Sequence, residues 1–224
     1  MPVSIVIPTL NEAACIGATL RSLRRQRPLE IIVVDGGSTD GTDVLARDAD
    51  LVLAADPARA TQMNAGAARA RGDYLLFLHA DCTVEDGALA AAESLLRRRS
   101  VIVGCFTMRV QDDGLVYRVI DTCAGARVRL TGIVYGDQGL FMRRADFERL
   151  GGFPCVRFME DVEFSKRLRR EGRVVVLPQR VFVSPRRWRK TGVLRQTVRN
   201  WTLTALALAG AAPDRLARFY PNVR

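Results

Sequence analysis

VSIVIPTLNEAACIGATLRSLRRQRPLEIIVVDGGSTDGT, residues 3–42, sets two short apolar runs on either side of one longer stretch that reads as a helix. The runs Val3–Ile7 and Glu30–Asp35 are rich in β-branched residues and too short for an ordinary helix, so they read as strands with a helix at about Glu12–Gln26 between them. Strand, helix, strand is the unit of an open, mostly parallel α/β sheet flanked by helices. Two boundaries carry punctuation: Asn11 is placed to cap the first helix, and Ser38-Thr39-Asp40 to cap another after the Gly36-Gly37 turn. Both strand ends then open onto helix N-termini.

The alternation continues outward. Strands are predicted at Leu51–Leu53, Tyr74–Leu78 and Val101–Arg109, and helices at about Thr39–Arg47, Ala58–Arg71 and Glu85–Arg98. In such sheets ligands bind beyond the carboxyl ends of the strands, where backbone N–H groups and helix dipoles favour phosphate. The loops Pro8–Glu12, Asp35–Asp40 and His79–Thr83 are therefore the first candidates for a site. Later the pattern weakens into a helix near Leu115–Leu130, a strand through Ile133–Arg143, and a helix at about Asp161–Glu171 behind the loop LGGFP. The apolar segment Trp201–Ala212 falls short of the ~20 residues a bilayer span requires and reads as a buried or surface-lying helix.

With 224 residues, 48% hydrophobic and 26% charged, the chain has the balance of a globular protein with one main core. The five cysteines, Cys15, Cys82, Cys105, Cys123 and Cys155, are odd in number and form no C-x-x-C pair. That argues against a disulfide framework or a zinc site and for a reducing, cytoplasmic setting. The N-terminus lacks the basic region and cleavage site of a signal peptide, so export by that route is not expected. The net charge of +10 is uneven: up to Glu163 there are 19 basic and 22 acidic residues, and from 164 to 224 there are 15 and 2. Such a basic quarter suits a polyanionic partner, whether a phosphorylated substrate, an anionic membrane surface or nucleic acid, and equally suits a solvated helix face. No helix-turn-helix, RNP or zinc-finger pattern supports nucleic acid.

Three places concentrate chemistry. Asp35 ends a strand and enters GGSTDGT, whose glycines let the backbone approach a ligand while the carboxylate points into the crevice; a plain turn fits the same residues. In YLLFLHADCT, residues 74–83, an apolar run stops at His79-Ala80-Asp81, and on an extended backbone the first and last of these face the same way. Asp81 suits a hard cation such as Mg²⁺ or Mn²⁺, for which one or two carboxylates suffice when a diphosphate supplies the other oxygens. It equally fits a helix cap, with His79 a packed residue. In MEDVEF, residues 159–164, Glu160 and Asp161 open a helix, where the dipole favours carboxylates and where one could act as a general base.

Taken in order, PTLNE, VVDGGSTDGT, ARATQMNAGAARARGD, YLLFLHADCT, and GGFP followed by MEDVEFSKRLRREG closely resemble family 2 of the inverting nucleotide-sugar glycosyltransferases, which have a GT-A fold. The likeness runs from Pro2 to about Arg173. GDQGLF at 136–141 and SPRRW at 184–188 resemble a bacterial branch often named for arsenosugar biosynthesis. The resemblance implies one GT-A domain with a nucleotide-binding half (1–110), an acceptor-side half (111–185) and a basic C-terminal helical extension (186–224). It implies that Pro8, Thr9, Asn11 and Glu12 line the nucleotide pocket and that Asp35, followed by Gly36, reads the base, usually uracil. Arg59, Gln62 and Asn64 stand where the family contacts the nucleotide-sugar, a UDP-sugar being favoured. Asp81 matches the last aspartate of the D-x-D metal motif, and Asp161 the catalytic base. Two positions depart from the family: Gly36 stands where a second aspartate is common, and His79 where an aspartate opens the D-x-D. The ribose contact of the missing aspartate would pass to a ring nitrogen of His79.

The implied mechanism is one in-line displacement at the anomeric carbon, with Asp161 as base and Mn²⁺ or Mg²⁺ on the departing diphosphate, and with inversion because no enzyme-linked intermediate forms. Gly136-Asp137-Gln138, Glu160 and Arg187-Trp188 are the candidates to frame the acceptor, Trp188 by stacking on a sugar or apolar group. The acceptor is open, anionic and lipid-linked compounds among the options, with peripheral contact at the inner face of the membrane. Two other classes compete. A nucleotidyltransferase wants a Gly-rich basic loop after the first strand, and PTLNE has neither glycine nor lysine. A non-catalytic polyanion-binding protein would show steeply salt-dependent binding and no turnover.

Overall fold

The computed structural model describes residues 2–220. Its strands are β1 (Val3–Thr9), β2 (Glu30–Asp35), β3 (Leu51–Ala54), β4 (Tyr74–Phe77), β5 (Cys82–Val84), β6 (Val103–Val110), β7 (Leu140–Arg143) and β8 (Val175–Val183). They form one eight-stranded sheet in the order β3-β2-β1-β4-β7-β6-β8-β5. The first four pair in parallel, and β7 runs antiparallel to both β4 and β6, so a parallel half continues into a mixed one. The helices are α1 (Ile16–Arg25), α2 (Thr42–Leu45), α3 (Arg59–Arg69), α4 (Ala88–Leu96), α5 (Leu115–Thr131), α6 (Arg144–Arg149), α7 (Glu160–Glu171), α8 (Arg186–Thr191), α9 (Val193–Leu208) and α10 (Pro213–Ala217).

β1 and β2 are buried at every position, which is why both read as unbroken apolar runs: a central parallel strand is covered on both faces. Alternate residues feed two cores. Ile5, Ile7, Ile31 and Val33 pack with Ile16, Leu20 and Leu23 of α1 and Leu89 of α4. Val6, Ile32 and Val34 belong with Met63 and Ala67 of α3 and Phe164 and Leu168 of α7. A third cluster, Ile133, Met159, Val162, Leu203, Ala207 and Leu216, docks α9 and α10 onto α7. The basic extension is thus held on by apolar burial.

Four expectations need correction. Asn11 does not cap a helix: it sits at φ 55°, its Oδ1 accepts from the Thr39 N–H at 3.0 Å, and α1 starts only at Ile16. Ser38 and Thr39 do not cap one either, because a turn at Gly41 (φ 86°) intervenes and α2 begins at Thr42, whose N–H donates to Asp40 Oδ1 at 3.1 Å. These loops are instead sewn together, with Asn11 N–H on Ser38 Oγ (2.8 Å), Glu12 N–H on Thr42 Oγ1 (2.8 Å) and Ala13 N–H on Asp40 Oδ2 (3.0 Å). The strand expected through Ile133–Arg143 is broken by a 3₁₀ turn at Gly136–Gln138, and only Leu140–Arg143 joins the sheet. Trp201–Ala212 is not an element of its own, since α9 runs from Val193 to Leu208.

Gly66 lets α3, which carries Arg59, Gln62 and Asn64, lie close on the sheet. A Cβ there would come within 2.4 Å of Val6 Cγ1 and 3.1 Å of Val34 Cγ2. Gly66→Val is expected to destabilise the fold by about 1–3 kcal/mol through overpacking. The check is a lower urea midpoint with unchanged slope; an unchanged midpoint would show that the helix yields freely.

Candidate active site

The carboxyl ends of β1 and β2 present Thr9 and Asp35. Asp35 Oδ2 accepts from the N–H groups of Gly37 (3.0 Å) and Ser38 (2.8 Å), and Oδ1 from the hydroxyls of Thr9 (3.0 Å) and Ser38 (2.5 Å). Burial opposes its charge, but these bonds outweigh it and hold the carboxyl below its usual range. Gly36 behind it has little room for a side chain: a Cβ would lie 3.0 Å from Pro57 Cα and 3.1 Å from Gln62 Nε2. Gln62 is fully buried and donates to Thr9 O (2.7 Å) and Val34 O (2.8 Å). Asn64 donates to Phe153 O (2.8 Å) and accepts from Phe153 N–H (2.9 Å). Pro8 is buried within β1. Both amides bond backbone groups, Gln62 through its Nε2 alone, its Oε1 being buried without a hydrogen-bond partner among the described residues.

His79 and Asp81 do not lie on an extended strand. β4 stops at Phe77, and the following turn is closed by the Cys82 N–H on His79 O at 3.1 Å. The two side chains consequently have different neighbours. The His79 ring lies against Gly136, where a Cβ would sit 2.4 Å from Nε2. Asp81 Oδ2 meets Arg186 Nε at 3.1 Å, and Nη2 of the same guanidinium meets Glu12 Oε2 at 2.5 Å.

Gly136 turns its N–H to Asp161 Oδ2 at 2.8 Å, while the Val162 N–H donates to Oδ1 at 2.7 Å. Burial raises the Asp161 carboxyl above its usual range despite these bonds and the Arg59 and Arg127 charges. Asp137 is pushed up to about 6, by burial first and then by Asp161, with Arg127 opposing. These groups open onto a cleft of about 540 Å³ whose lining includes Arg59, His79, Asp137, Glu160, Asp161 and Arg187. Its far wall is aromatic and polar. The Phe158 and Tyr220 rings stack 4.6 Å apart, Arg187 Nη1 donates to Tyr220 Oη at 2.7 Å, and Tyr135, with Arg127 3.3 Å over its ring, meets the Thr204 hydroxyl.

Of the residues expected on the acceptor side, Gly136, Asp137, Glu160 and Arg187 line this cleft, and Gln138 and Trp188 do not. Gln138 is fully buried and bonds Arg127 and the Tyr135 N–H beneath it. Trp188 is buried, meets Tyr117 edge-on at 6.3 Å, and borders an adjoining crevice between α5 and α9 that shares Tyr135, Asp137 and Asn200 with the cleft. Its ring is therefore not placed to stack on a ligand in the cleft. Arg186 was missed: SPRRW offers two arginines, and only the start of α8 at 186 decides which one faces Asp81. Tyr135, Asn200, Thr204 and Tyr220 also line the cleft and carry no motif. Among the described residues no group of three or more His, Cys, Asp or Glu side chains could hold a metal ion. Asp81 fits a cation only where a diphosphate completes the ligand set.

A carboxylate-bearing cleft beyond the strand ends of such a sheet, walled by further helices, is the layout of a group-transfer enzyme. The chain belongs to glycosyl transferase family 2, whose sequence model matches residues 4–151. It is 32% identical over 184 residues to the PGL/p-HBAD biosynthesis glycosyltransferase of Mycobacterium bovis (strain BCG / Pasteur 1173P2), covering 73% of this chain and 68% of that one. The fold is that of the GT-A glycosyltransferases. S. aureus TarS 1-349 in complex with UDP-GlcNAc is similar with a TM-score of 0.65 at 19% identity, covering 82% of this chain. GalNAc-T7 with UDP, GalNAc and Mn²⁺ is similar with a TM-score of 0.62 at 18% identity, covering 81% of this chain and 43% of that one. The chain matches only 58% of the TarS 1-349 length. Among the described residues no helix is long and apolar enough to cross a membrane.

Asp137 makes the electrostatics of the cleft testable. A carboxyl near 6 in the folded chain, against 3.8 ordinarily, binds more protons folded than unfolded between those values, so it lowers stability as pH rises through that window. Asp137→Asn removes the penalty. From about pH 4 to about pH 7 the variant should gain on the parent by up to about 3 kcal/mol. Urea unfolding at several pH values reads this, and parallel stability curves would refute it.

Proposed function

We propose that the chain transfers a sugar from a nucleoside diphosphate donor, a UDP-sugar being favoured, to an acceptor hydroxyl bound in the cleft, with inversion at the anomeric carbon. The observation that carries this reading is Asp161, a carboxylate on the cleft wall whose oxygens are aligned by two backbone N–H groups and whose proton affinity burial raises. The UDP-GlcNAc bound by TarS, and the UDP and Mn²⁺ of the GalNAc-T7 structure, support the donor class and a divalent cation.

In this mechanism the acceptor O–H gives its proton to Asp161 as its oxygen bonds to the anomeric carbon, opposite the diphosphate. The carbon–oxygen bond to the diphosphate breaks, and the leaving oxygen keeps the electron pair. Asp81 would hold Mn²⁺ or Mg²⁺, and the cation when bound supplies positive charge to the departing diphosphate. Arg59, raised in proton affinity by Glu160 and Asp161 against the effect of burial, keeps a guanidinium at the cleft for the donor. Arg186 covers Asp81 and Glu12 until donor and cation arrive, and once displaced leaves its charge beside the phosphates. Glu160 and Arg187 would take polar groups of the acceptor, for which hydroxyl compounds, anionic and lipid-linked ones among them, are the candidates.

Asp161→Asn should keep donor affinity near the parent's and lower turnover by about 10²–10⁴; lost donor binding with normal turnover of bound substrate would overturn the role of base. Asp81→Asn should remove the Mn²⁺ dependence of donor binding in thermal-shift assays. Arg186→Met should weaken binding of UDP in the presence of Mn²⁺ several-fold, because the guanidinium that would stand beside the phosphates is gone. Parent-like behaviour of either variant would remove the role assigned to that residue.

A further inference from the structure

The helix that walls the cleft has a second face. α9 buries Gln196, Leu203, Thr204 and Ala207, and its Asn200, Leu203 and Thr204 line the cleft. Leu194, Val198, Trp201 and Leu208 recur at helical spacing beside and opposite the buried face and form one stripe, with exposures of 77%, 50%, 50% and 40%, Trp201 also bordering the crevice between α5 and α9. Exposed Ala205 falls on the same line, and Phe219, just past α10, is 66% exposed. An apolar strip of this length on an outer surface marks an interaction site.

The surroundings of the stripe are positive. Lys190 and Arg195 lie at its N-terminal end, and Arg215 and Arg218 lie in and just after α10; all four are exposed. The ion pairs of this quarter are made by Lys166, Glu171, Arg186 and Arg189, so none of these four cations has a carboxylate within 4.0 Å among the described residues. From residue 186 onward Asp214 is the only acidic residue of the sequence. Face-to-face pairing of two copies would bring like charges together. An anionic lipid surface neutralises them and accepts the apolar stripe as well.

We propose that this face docks on an anionic lipid surface, with α9 lying in the interfacial plane. Leu194, Val198 and Trp201 enter the headgroup boundary while the four cations meet lipid phosphates. Interfacial helices combine these two contributions, and the electrostatic one is screened by salt. If the cleft is the glycosyltransferase site argued above, its inner wall and the docked surface are two sides of one helix, so a lipid-borne acceptor would reach the cleft past α9.

The test is co-sedimentation of the full chain with vesicles of phosphatidylcholine, alone or mixed with phosphatidylglycerol, at low and high salt. Binding to the anionic vesicles at low salt is expected, at least tenfold weaker for neutral vesicles or at high salt. Of the two tryptophans Trp188 is buried, so a blue shift of emission on binding reports Trp201. The double substitution Val198→Ser with Trp201→Ser should reduce vesicle binding about tenfold while leaving donor-dependent thermal shifts unchanged. No binding to anionic vesicles, or binding untouched by the double substitution, overturns the proposal. So does self-association without lipid, in place of vesicle binding, that the same substitutions abolish. Neither donor nor acceptor enters the vesicle assay, so its failure would leave the sugar-transfer reading standing.

Discussion

The hydrogen bond from the Gly136 N–H to Asp161 holds together parts of the chain that are far apart in sequence. It joins the 3₁₀ turn before β7 to the first turn of α7, and the absent Cβ at 136 admits the His79 ring from the end of β4. A methyl group there would strike His79 Nε2 at 2.4 Å, so the ring or the turn would have to shift. The turn is supported from below by Gln138, whose Oε1 takes Arg127 of α5 and the Tyr135 N–H. Asp161 is thus fixed by backbone groups that a core helix in turn positions. A carboxylate oriented this way loses little freedom when a substrate hydroxyl meets it.

Charge in the cleft is assembled from both ends of the chain. Asp137, Glu160 and Asp161 on its wall, with Asp81 nearby, come from the acidic first part, as do Arg59 on the wall and Arg127 beside it. Arg186 and Arg187 arrive from the basic extension, one onto Glu12 and Asp81 and the other onto Tyr220 at the cleft wall. What brings them there is apolar: Leu203, Ala207 and Leu216 seat the extension on Met159 and Val162. Burial of hydrophobic surface is non-directional and supplies the attachment, and Arg186 then finds two carboxylates and Arg187 a hydroxyl within reach.

Much of the nucleotide half was legible because its physics is local. An unbroken β-branched run is what a strand buried on both faces must look like, and β1, β2 and β4 lie where such runs stand. The cleft was legible where short motifs reach it, as at Gly136-Asp137, at Arg187 and at Asp161 beside the start of α7. Asn11 misled because its side chain satisfies the neighbouring loop rather than a helix end, a choice that depends on a segment 28 residues away. Trp188 misled because an aromatic beside arginines suits a binding site as well as a core, and only packing against Tyr117 decides. Tyr135, Thr204 and Tyr220 were invisible, since their place on the cleft follows from how α9 and α10 dock, which no spacing within those segments records.

The two departures from the family pattern have different physical causes. At 36 the pressure is steric: a side chain would crowd Pro57 and Gln62, which would have to give by a few tenths of an ångström, and Gln62 joins the ends of β1 and β2. At 79 the cause is electrostatic. An aspartate there would add a further carboxylate to Asp81, Asp137, Glu160 and Asp161, two of which burial already drives toward protonation. An imidazole packs on Gly136 without bringing a fixed negative charge. Asp81 is then left as the single carboxylate of the motif, and one guanidinium shared with Glu12 balances it. His79 packed on Gly136 and Arg186 paired with Asp81 thus both limit the negative charge at this end of the cleft.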